Sequence, residues 1–250
     1  MDSTAIKALA VVDALSQSEE PRGVAELSRQ LGLTKSNTHR ILSTLVNEGY
    51  VRPHPETGRY SLTLKIWEQG IRVMDRTPVK RIAQLQLKTL FSQHKETVLL
   101  SVLAFPDVLY VDKVESEFPV RASPRIGWRA PAWRTASGKA LLAYQPEEVL
   151  ARTIEDPLFT QVNLTELRRE LAEVRQRGFA LSFNGLRYGV NSVAAPIWGP
   201  DKFPVASISA SGPSERVLEE QLLEMSSAVL NAATQISNSL GTSSPVFNLD

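Results

Sequence analysis

The first 64 residues of this chain contain a fixed order of short elements, and this order constrains the fold more than any other feature of the sequence. Apolar residues at three- and four-residue spacing predict helices over residues 4–16, 24–31 and 35–48. Two short β-rich segments, residues 50–52 and 59–62, flank a turn rich in proline and glycine, which predicts a hairpin. Helix, helix, turn, helix and hairpin is the order of a winged helix-turn-helix domain.

The third predicted helix has two different faces. Gly32 and Thr34 supply the turn and the N-cap before it, and Gly49 follows its end. Its largely apolar face carries Ile41, Leu42 and Leu45, together with Thr38. A helix that enters the major groove must bury one face and present short polar and cationic groups on the other.

The polar face matches that requirement. Arg40 suits a bidentate contact to guanine and Asn37 one to adenine, whereas Lys35, Arg52 and Arg59 suit phosphate. The predicted DNA-binding residues are Lys35, Ser36, Asn37, His39, Arg40, Ser43, Thr44, Arg52 and Arg59. An ordinary solvated helix face is the alternative for any one of them. The helix order together with the wing favours DNA binding for the set.

Local charge supports the same interpretation. The whole chain has a net charge of +1, which says little. Between Arg29 and Arg59, five basic residues stand against Glu48 and Glu56, so this stretch carries 5 − 2 = +3. Local positive charge is what phosphate binding requires. A mildly basic surface without a nucleic-acid partner is the alternative.

The remaining chain mixes helical and β-rich segments, which predicts an α+β domain around a mostly antiparallel sheet. A connecting helix is predicted over residues 65–75, and Thr77-Pro78 marks a break after it. Four parts are expected: a winged helix-turn-helix domain at 1–64, a linker helix at 65–77, an effector-binding and oligomerisation domain at 78–240, and a tail at 241–250.

Several classes of protein are disfavoured by what the sequence lacks. There is no cysteine, the three histidines show no metal-ligand spacing, and no Gly-x-Ser-x-Gly turn occurs. Ser137-Gly-Lys139 resembles part of a phosphate loop, but Trp133 stands where that motif needs glycine. The start lacks a signal-like apolar run, and no segment approaches membrane-spanning length. We therefore expect a cytoplasmic protein that is not an enzyme, binds no membrane, and has no metal and no cofactor.

Two features of the second half allow two interpretations each. Ser207, Ser209 and Ser211 alternate, so within a strand they share one face. They either line a pocket for a polar molecule or form the exposed face of an edge strand, and spacing alone favours the edge strand. The run Thr135–Gly138 begins a predicted helix, where free N–H groups form either an anion site or an ordinary N-cap.

The chain resembles the IclR family of bacterial transcriptional regulators over roughly residues 4–240. The resemblance lies in three groups of motifs in the same order: Gly32–Leu45 with Glu48–Arg52, then Thr135–Ala143, then Gly178–Ala180, Gly189-Val190, Val193–Pro196 and Ile208–Pro213. It implies a ligand-responsive repressor or activator with a GAF-like sensor domain. It also implies a homodimer, or a dimer of dimers (a homotetramer), on a pseudo-palindromic operator in double-stranded DNA, with two recognition helices about 34 Å apart.

The resemblance also implies an effector site for a small organic acid. By their positions in the matching motifs, the residues implied for this site are Trp133, Ala136, Ser137, Ser182, Asn184, Ser192, Ser209 and Ser211. The N–H groups of Ala136 and Ser137 would hold the carboxylate, so that no cationic side chain is needed. Trp133, with Trp128 and Phe183 nearby, suits an aromatic acid, although packing in a core is the more common role of tryptophan.

Two other functions stay open at this point. One is a sensor domain that retains hydrolase or transferase activity, which turnover of a bound ligand would reveal. The other is a constitutive DNA-binding protein without an effector, which would respond to no small acid.

Overall fold

The computed structural model describes residues 3–153, 163–186 and 189–241. The chain divides into two compact units, Met1–Arg76 and Thr77–Asp250. The tail expected over 241–250 lies, after Gly241, outside the described residues. Among the described residues, no helix is both long and apolar enough to cross a membrane.

The first unit is a winged helix-turn-helix, as the sequence predicts. Its elements are α1 (Ser3–Ser16), α2 (Val24–Leu31), α3 (Lys35–Asn47), β1 (Val51–Pro53), β2 (Tyr60–Leu62) and α4 (Lys65–Asp75). Strands β1 and β2 pair antiparallel, with Val51 opposite Leu62. Gly32 ends α2 in the left-handed conformation (φ 64°), which suits glycine and lets the chain turn sharply into α3.

A small apolar core holds these elements together. Val11 of α1, Leu27 of α2, Leu42 of α3 and Val51 of β1 are all buried in one cluster. Each helix contributes its apolar stripe, so the opposite face of α3 remains at the surface. No residue of α4 is fully buried.

The second unit is an α+β domain around one sheet. Its elements are α5 (Pro78–His94), β3 (Thr97–Ala104), β4 (Asp107–Val114), β5 (Arg129–Pro131), a short 3-10 helix (Ala132–Arg134), α6 (Ala136–Leu142), α7 (Glu147–Thr153), α8 (Leu164–Arg177), β6 (Ala180–Phe183), β7 (Val190–Trp198), β8 (Pro204–Pro213) and α9 (Glu219–Ser239). The six strands follow the order β5-β4-β3-β8-β7-β6. All five pairings between neighbouring strands are antiparallel.

Helices shield both faces of the central strand β8. Helix α6 packs on the sheet, and its residues share a core cluster with Leu99 and Ala194, while α5 and α9 also pack against the sheet. Ser207 and Ile208, which point to opposite faces, are both completely buried. The sequence patterns did not indicate β5, which has only three residues and includes a proline, as edge strands often do.

Candidate DNA-binding face and effector cavity

Helix α3 presents the predicted polar face to solvent. Thr34 caps the helix, with its Oγ1 accepting the Asn37 N–H at 3.3 Å. Asn37 is half-buried, and the other six predicted residues of α3 are exposed: Lys35, Ser36, His39, Arg40, Ser43 and Thr44. The structure therefore brings all seven to one accessible surface.

Short local hydrogen bonds order this face. Arg40 Nη2 donates to Asn37 Oδ1 at 3.4 Å, one helical turn away. The Ser43 hydroxyl donates to the His39 carbonyl at 2.9 Å, and the Thr44 hydroxyl to the Arg40 carbonyl at 3.1 Å. These two hydroxyls keep only their acceptor lone pairs for another molecule, whereas most of the Arg40 donors remain available.

The two wing arginines have different surroundings. Arg52 is exposed, and its Nε makes a single long contact of 3.4 Å to Ser61 Oγ. Arg59 instead donates to Glu26 Oε1 at 2.8 Å and to the Pro21 carbonyl at 3.0 Å. The Gly23 N–H, followed by the Arg59 and Arg22 guanidinium groups, lowers the pKa of Glu26. Arg59 thus ties the wing to α2 and has less to offer a phosphate than expected.

The second unit contains a partly open cavity of about 150 Å³. Its walls come from all six strands of the sheet, from the start of α6, from the irregular segment before β5, and from Leu186 after β6. The lining residues are Leu99, Tyr110, Arg121, Ala122, Ser123, Pro124, Trp128, Arg129, Thr135, Ala136, Ser137, Ser182, Leu186, Val190, Ser192 and Ser211.

Five of the eight residues predicted for the effector site line this cavity: Ala136, Ser137, Ser182, Ser192 and Ser211. Three do not. Ser209 is buried behind the wall, where its Oγ accepts the Ser137 hydroxyl at 3.0 Å. Trp133 packs in the apolar core beside α6, and the Asn184 side chain accepts the Gly189 N–H at 2.7 Å within a turn.

The serines of β8 do not lie on an exposed edge. Ser207, Ser209 and Ser211 are 0%, 1% and 7% exposed, and β8 lies between β3 and β7. The edge-strand interpretation is therefore wrong. Spacing alone could not exclude it, because strand order depends on residues far away in the sequence.

The start of α6 brings main-chain donors to the cavity. Thr135 Oγ1 accepts the Gly138 N–H at 3.0 Å, while the N–H groups of Ala136 and Ser137 precede the first internal bond of the helix. Gly138 is required here, because a Cβ atom would lie 2.1 Å from the Ala132 carbonyl oxygen. The 3-10 helix therefore folds tightly onto the first turn of α6.

Two arginines in the wall were not expected from the sequence. Arg121 Nε donates to Glu115 Oε1 at 2.8 Å, and Arg129 Nη1 donates to the Ala104 carbonyl at 2.9 Å. Neither Glu115 nor Asp107, the acid beside Arg129, belongs to the lining residues. Among the described residues, the wall thus carries cations and no carboxylate, which favours an anionic ligand.

The aromatic residues of the wall differ from those expected, because Trp133 and Phe183 do not line the cavity whereas Tyr110 of β4 does. Trp128 lines the cavity and remains 45% exposed, with the Arg125 guanidinium 5.2 Å from its ring centre. Phe183 is equally exposed but does not line the cavity. In the part of the chain that the structure describes, no group of His, Asp or Glu is arranged to hold a metal ion.

Both units of the chain match models of one protein family. Residues 4–55 match the model of the IclR helix-turn-helix domain, and residues 71–238 match that of the bacterial transcriptional regulator IclR C-terminal domain. The chain belongs to the IclR family. The regulator KdgR of Escherichia coli (strain K12) is 31% identical over 245 residues, covering 96% of this chain and 93% of that protein. The regulator XynR of the same organism is 30% identical, covering 94% and 96%.

Solved structures of IclR-family proteins share the fold. An IclR-type regulator from Silicibacter sp. TM1040 has a TM-score of 0.84 at 25% identity, covering 97% of this chain and 98% of that chain. An IclR homologue from Microbacterium hydrocarbonoxydans, solved with 4-hydroxybenzoate, has a TM-score of 0.80 at 21% identity, covering 96% and 99%. KdgR and XynR are helix-turn-helix transcriptional regulators, so this chain is a DNA-binding regulator by family.

Proposed function

We propose that this IclR-family protein is a transcriptional regulator whose affinity for DNA changes when a small organic acid binds in its second unit. Residues 1–64 would bind the operator, 65–77 would link the units, and 78–240 would bind the acid. The observation that carries the proposal is the cavity, whose wall, in the part of the chain that the structure describes, combines Arg121 and Arg129 with main-chain donors and no carboxylate.

DNA recognition is assigned to α3. The exposed side chains of Lys35, Arg40 and Ser43 lie on the surface opposite the apolar core of the unit. Arg40 would read a guanine, while Lys35 and Arg52 would neutralise phosphates. Arg59 would stabilise the wing through Glu26 rather than bind phosphate directly.

The cavity suits one small ring or a compact aliphatic acid. An engineered protein cavity of similar volume binds benzene. The carboxylate would accept hydrogen bonds from the Ala136 and Ser137 N–H groups, and the hydroxyls of Ser192 and Ser211 would contact the rest of the molecule. Trp128 and Leu99 would supply apolar contact.

Matched acids and amides test this proposal. We expect the protein to bind 4-hydroxybenzoate, benzoate or lactate at least about tenfold more tightly than the corresponding amide, because charge-assisted hydrogen bonds are lost in the neutral ligand. Isothermal titration calorimetry measures the affinities. Electrophoretic mobility shift, on DNA selected from a random pool, measures whether the bound acid changes DNA affinity.

Serine variants give the matched control. Ser211→Ala removes a wall hydroxyl and is expected to weaken binding of the same acid about three- to tenfold. Ser207 lies on the same face of β8, is fully buried and does not line the cavity. The Ser207→Ala variant should therefore bind the acid with unchanged affinity. Binding of no acid by the wild type would contradict the proposal and favour a constitutive DNA-binding protein. Consumption of a bound acid during incubation would favour an enzyme.

We also propose that the protein is a dimer that binds a pseudo-palindromic operator. Helix α4 and its N-cap residue expose an apolar stripe at helical spacing, formed by Leu64, Trp67 and Ile71. These side chains are 79%, 64% and 37% exposed. Large apolar side chains grouped on one exposed side of a helix are typical of a protein interface.

Trp67→Gln is expected to shift the protein toward the monomer, because tryptophan contributes large apolar contacts to interfaces. Sedimentation velocity across a concentration series measures the shift. Arg72→Gln, at an α4 residue outside the stripe whose side chain is 66% exposed, is the control and should leave the dimer intact. An unchanged dimer in Trp67→Gln would place the interface elsewhere.

A further inference from the structure

One irregular segment, residues 115–124, covers part of the cavity. We call it the cover segment. It supplies four lining residues, Arg121, Ala122, Ser123 and Pro124. Two hydrogen bonds hold this segment independently of the arginine: Thr97 Oγ1 of β3 donates to the Ala122 carbonyl at 2.6 Å, and the Ser116 hydroxyl donates to the carbonyl of Lys95, which caps α5, at 2.7 Å.

Arg121 has few partners within this segment. Its Nε donates to Glu115 Oε1 at 2.8 Å, and its Nη1 donates to the Phe118 carbonyl at 3.2 Å. The side chain is 37% exposed. A guanidinium carries five donors, so in the described part of the chain most of those on Arg121 remain open for a ligand.

The carboxylate of Glu115 has other hydrogen-bond partners besides Arg121. Its carboxylate also accepts from Lys113 Nζ at 2.6 Å and from the Ser123 hydroxyl at 2.6 Å. These hydrogen bonds lower the pKa of Glu115 to about 2, with Lys113 contributing most, then Ser123, then Arg121. Glu115 therefore remains ionised and well paired if Arg121 turns away.

Arg129 lines the same cavity but is held differently. Its Nη1 donates to the Ala104 carbonyl at 2.9 Å and reaches Asp107 at 3.5 Å, next to the turn between β3 and β4. It lies on β5, which pairs with β4. Arg129 is therefore a suitable control for Arg121, because it is a second arginine of the cavity wall and its position is set by the sheet.

We infer that Arg121 is the charge-selecting residue of the cavity, and that its guanidinium exchanges Glu115 for the carboxylate of the bound acid. The inference rests on the proposed function, because it assumes that an organic acid occupies the cavity. A carboxylate has about four lone-pair sites, so it can accept from Arg121 and from the Ala136 and Ser137 N–H groups together. Glu115 then acts as an internal competitor for Arg121.

Two variants test this inference by moving affinity in opposite directions. Arg121→Gln is expected to weaken binding of 4-hydroxybenzoate or benzoate about tenfold, and of the matching benzamide less than about twofold. Glu115→Gln removes the competing charge and is expected to tighten binding of the acid about two- to fivefold. Arg121→Lys keeps the charge and should recover part of the loss. Calorimetry on the full chain measures each affinity.

Controls separate this role from a structural one. Arg129→Gln should weaken the acid less than about threefold, because its guanidinium stays with the sheet. If Arg121→Gln and Glu115→Gln both weaken the acid and the amide alike, the network only shapes the cover segment, and the inference is overturned. An unchanged preference for acid over amide in Arg121→Gln overturns the inference but leaves the proposed function intact. Failure of the wild type to bind any acid overturns both.

Discussion

Arg40→Ala is expected to weaken operator binding by about 1–3 kcal/mol and to relax sequence preference at one base-pair position. The reason is geometric. Arg40 is exposed on the polar face of α3, where Asn37 is its only side-chain partner among residues 3–153, 163–186 and 189–241. Its guanidinium can form two parallel hydrogen bonds to guanine. Affinity for the selected operator and for its single-base variants, measured by fluorescence anisotropy, checks both parts of the prediction.

A phosphate contact should behave differently. Arg52→Ala is the matched control, because Arg52 is also an exposed arginine of the same unit. It is expected to weaken binding to all sequences alike and to reduce the slope of affinity against salt by about one. If Arg40→Ala shows this uniform loss instead, or no loss, then α3 does not present Arg40 to bases.

Arg216→Met is expected to destabilise the protein by about 2–4 kcal/mol. Arg216 Nε and Nη2 contact the two carboxylate oxygens of Glu96 at 2.5 and 3.1 Å. Glu96 is only 4% exposed, so loss of the arginine leaves a buried, unpaired carboxylate. Because the Arg216 side chain is 38% exposed, water compensates for part of the lost interaction. The expected loss of unfolding free energy therefore lies toward the lower end of the range for breaking a buried ion pair.

Urea unfolding followed by circular dichroism measures this cost. The double variant Glu96→Gln with Arg216→Met should recover much of it, because no buried charge remains. Arg168→Met removes an exposed partner of Glu147 and should cost less than about 1 kcal/mol. A double variant no more stable than Arg216→Met would show that the arginine acts through packing, for example its contact with the Phe118 ring.

Local sequence patterns determined the architecture of the first unit and most elements of the second. The helical spacing of Ile41, Leu42 and Leu45 predicted which face of α3 is buried, because a helix places residues three and four apart on one side. Gly32 and Thr34 predicted where α2 ends and α3 begins, because each residue suits one backbone conformation or one cap. These signals act within a few residues and need no knowledge of the rest of the chain.

Only the tertiary structure decided which side chains share the cavity. Arg121 and Ser211 are distant in sequence but line the same space, whereas Ser209, two residues from Ser211, turns its hydroxyl to Ser137 behind the wall. The sequence predicted Arg59 as a phosphate ligand, and only the fold shows that it forms an ion pair with Glu26. The physical reason is that a partner, a burial depth and a local charge balance depend on elements brought together by packing, and none of these follows from the periodicity of a single segment.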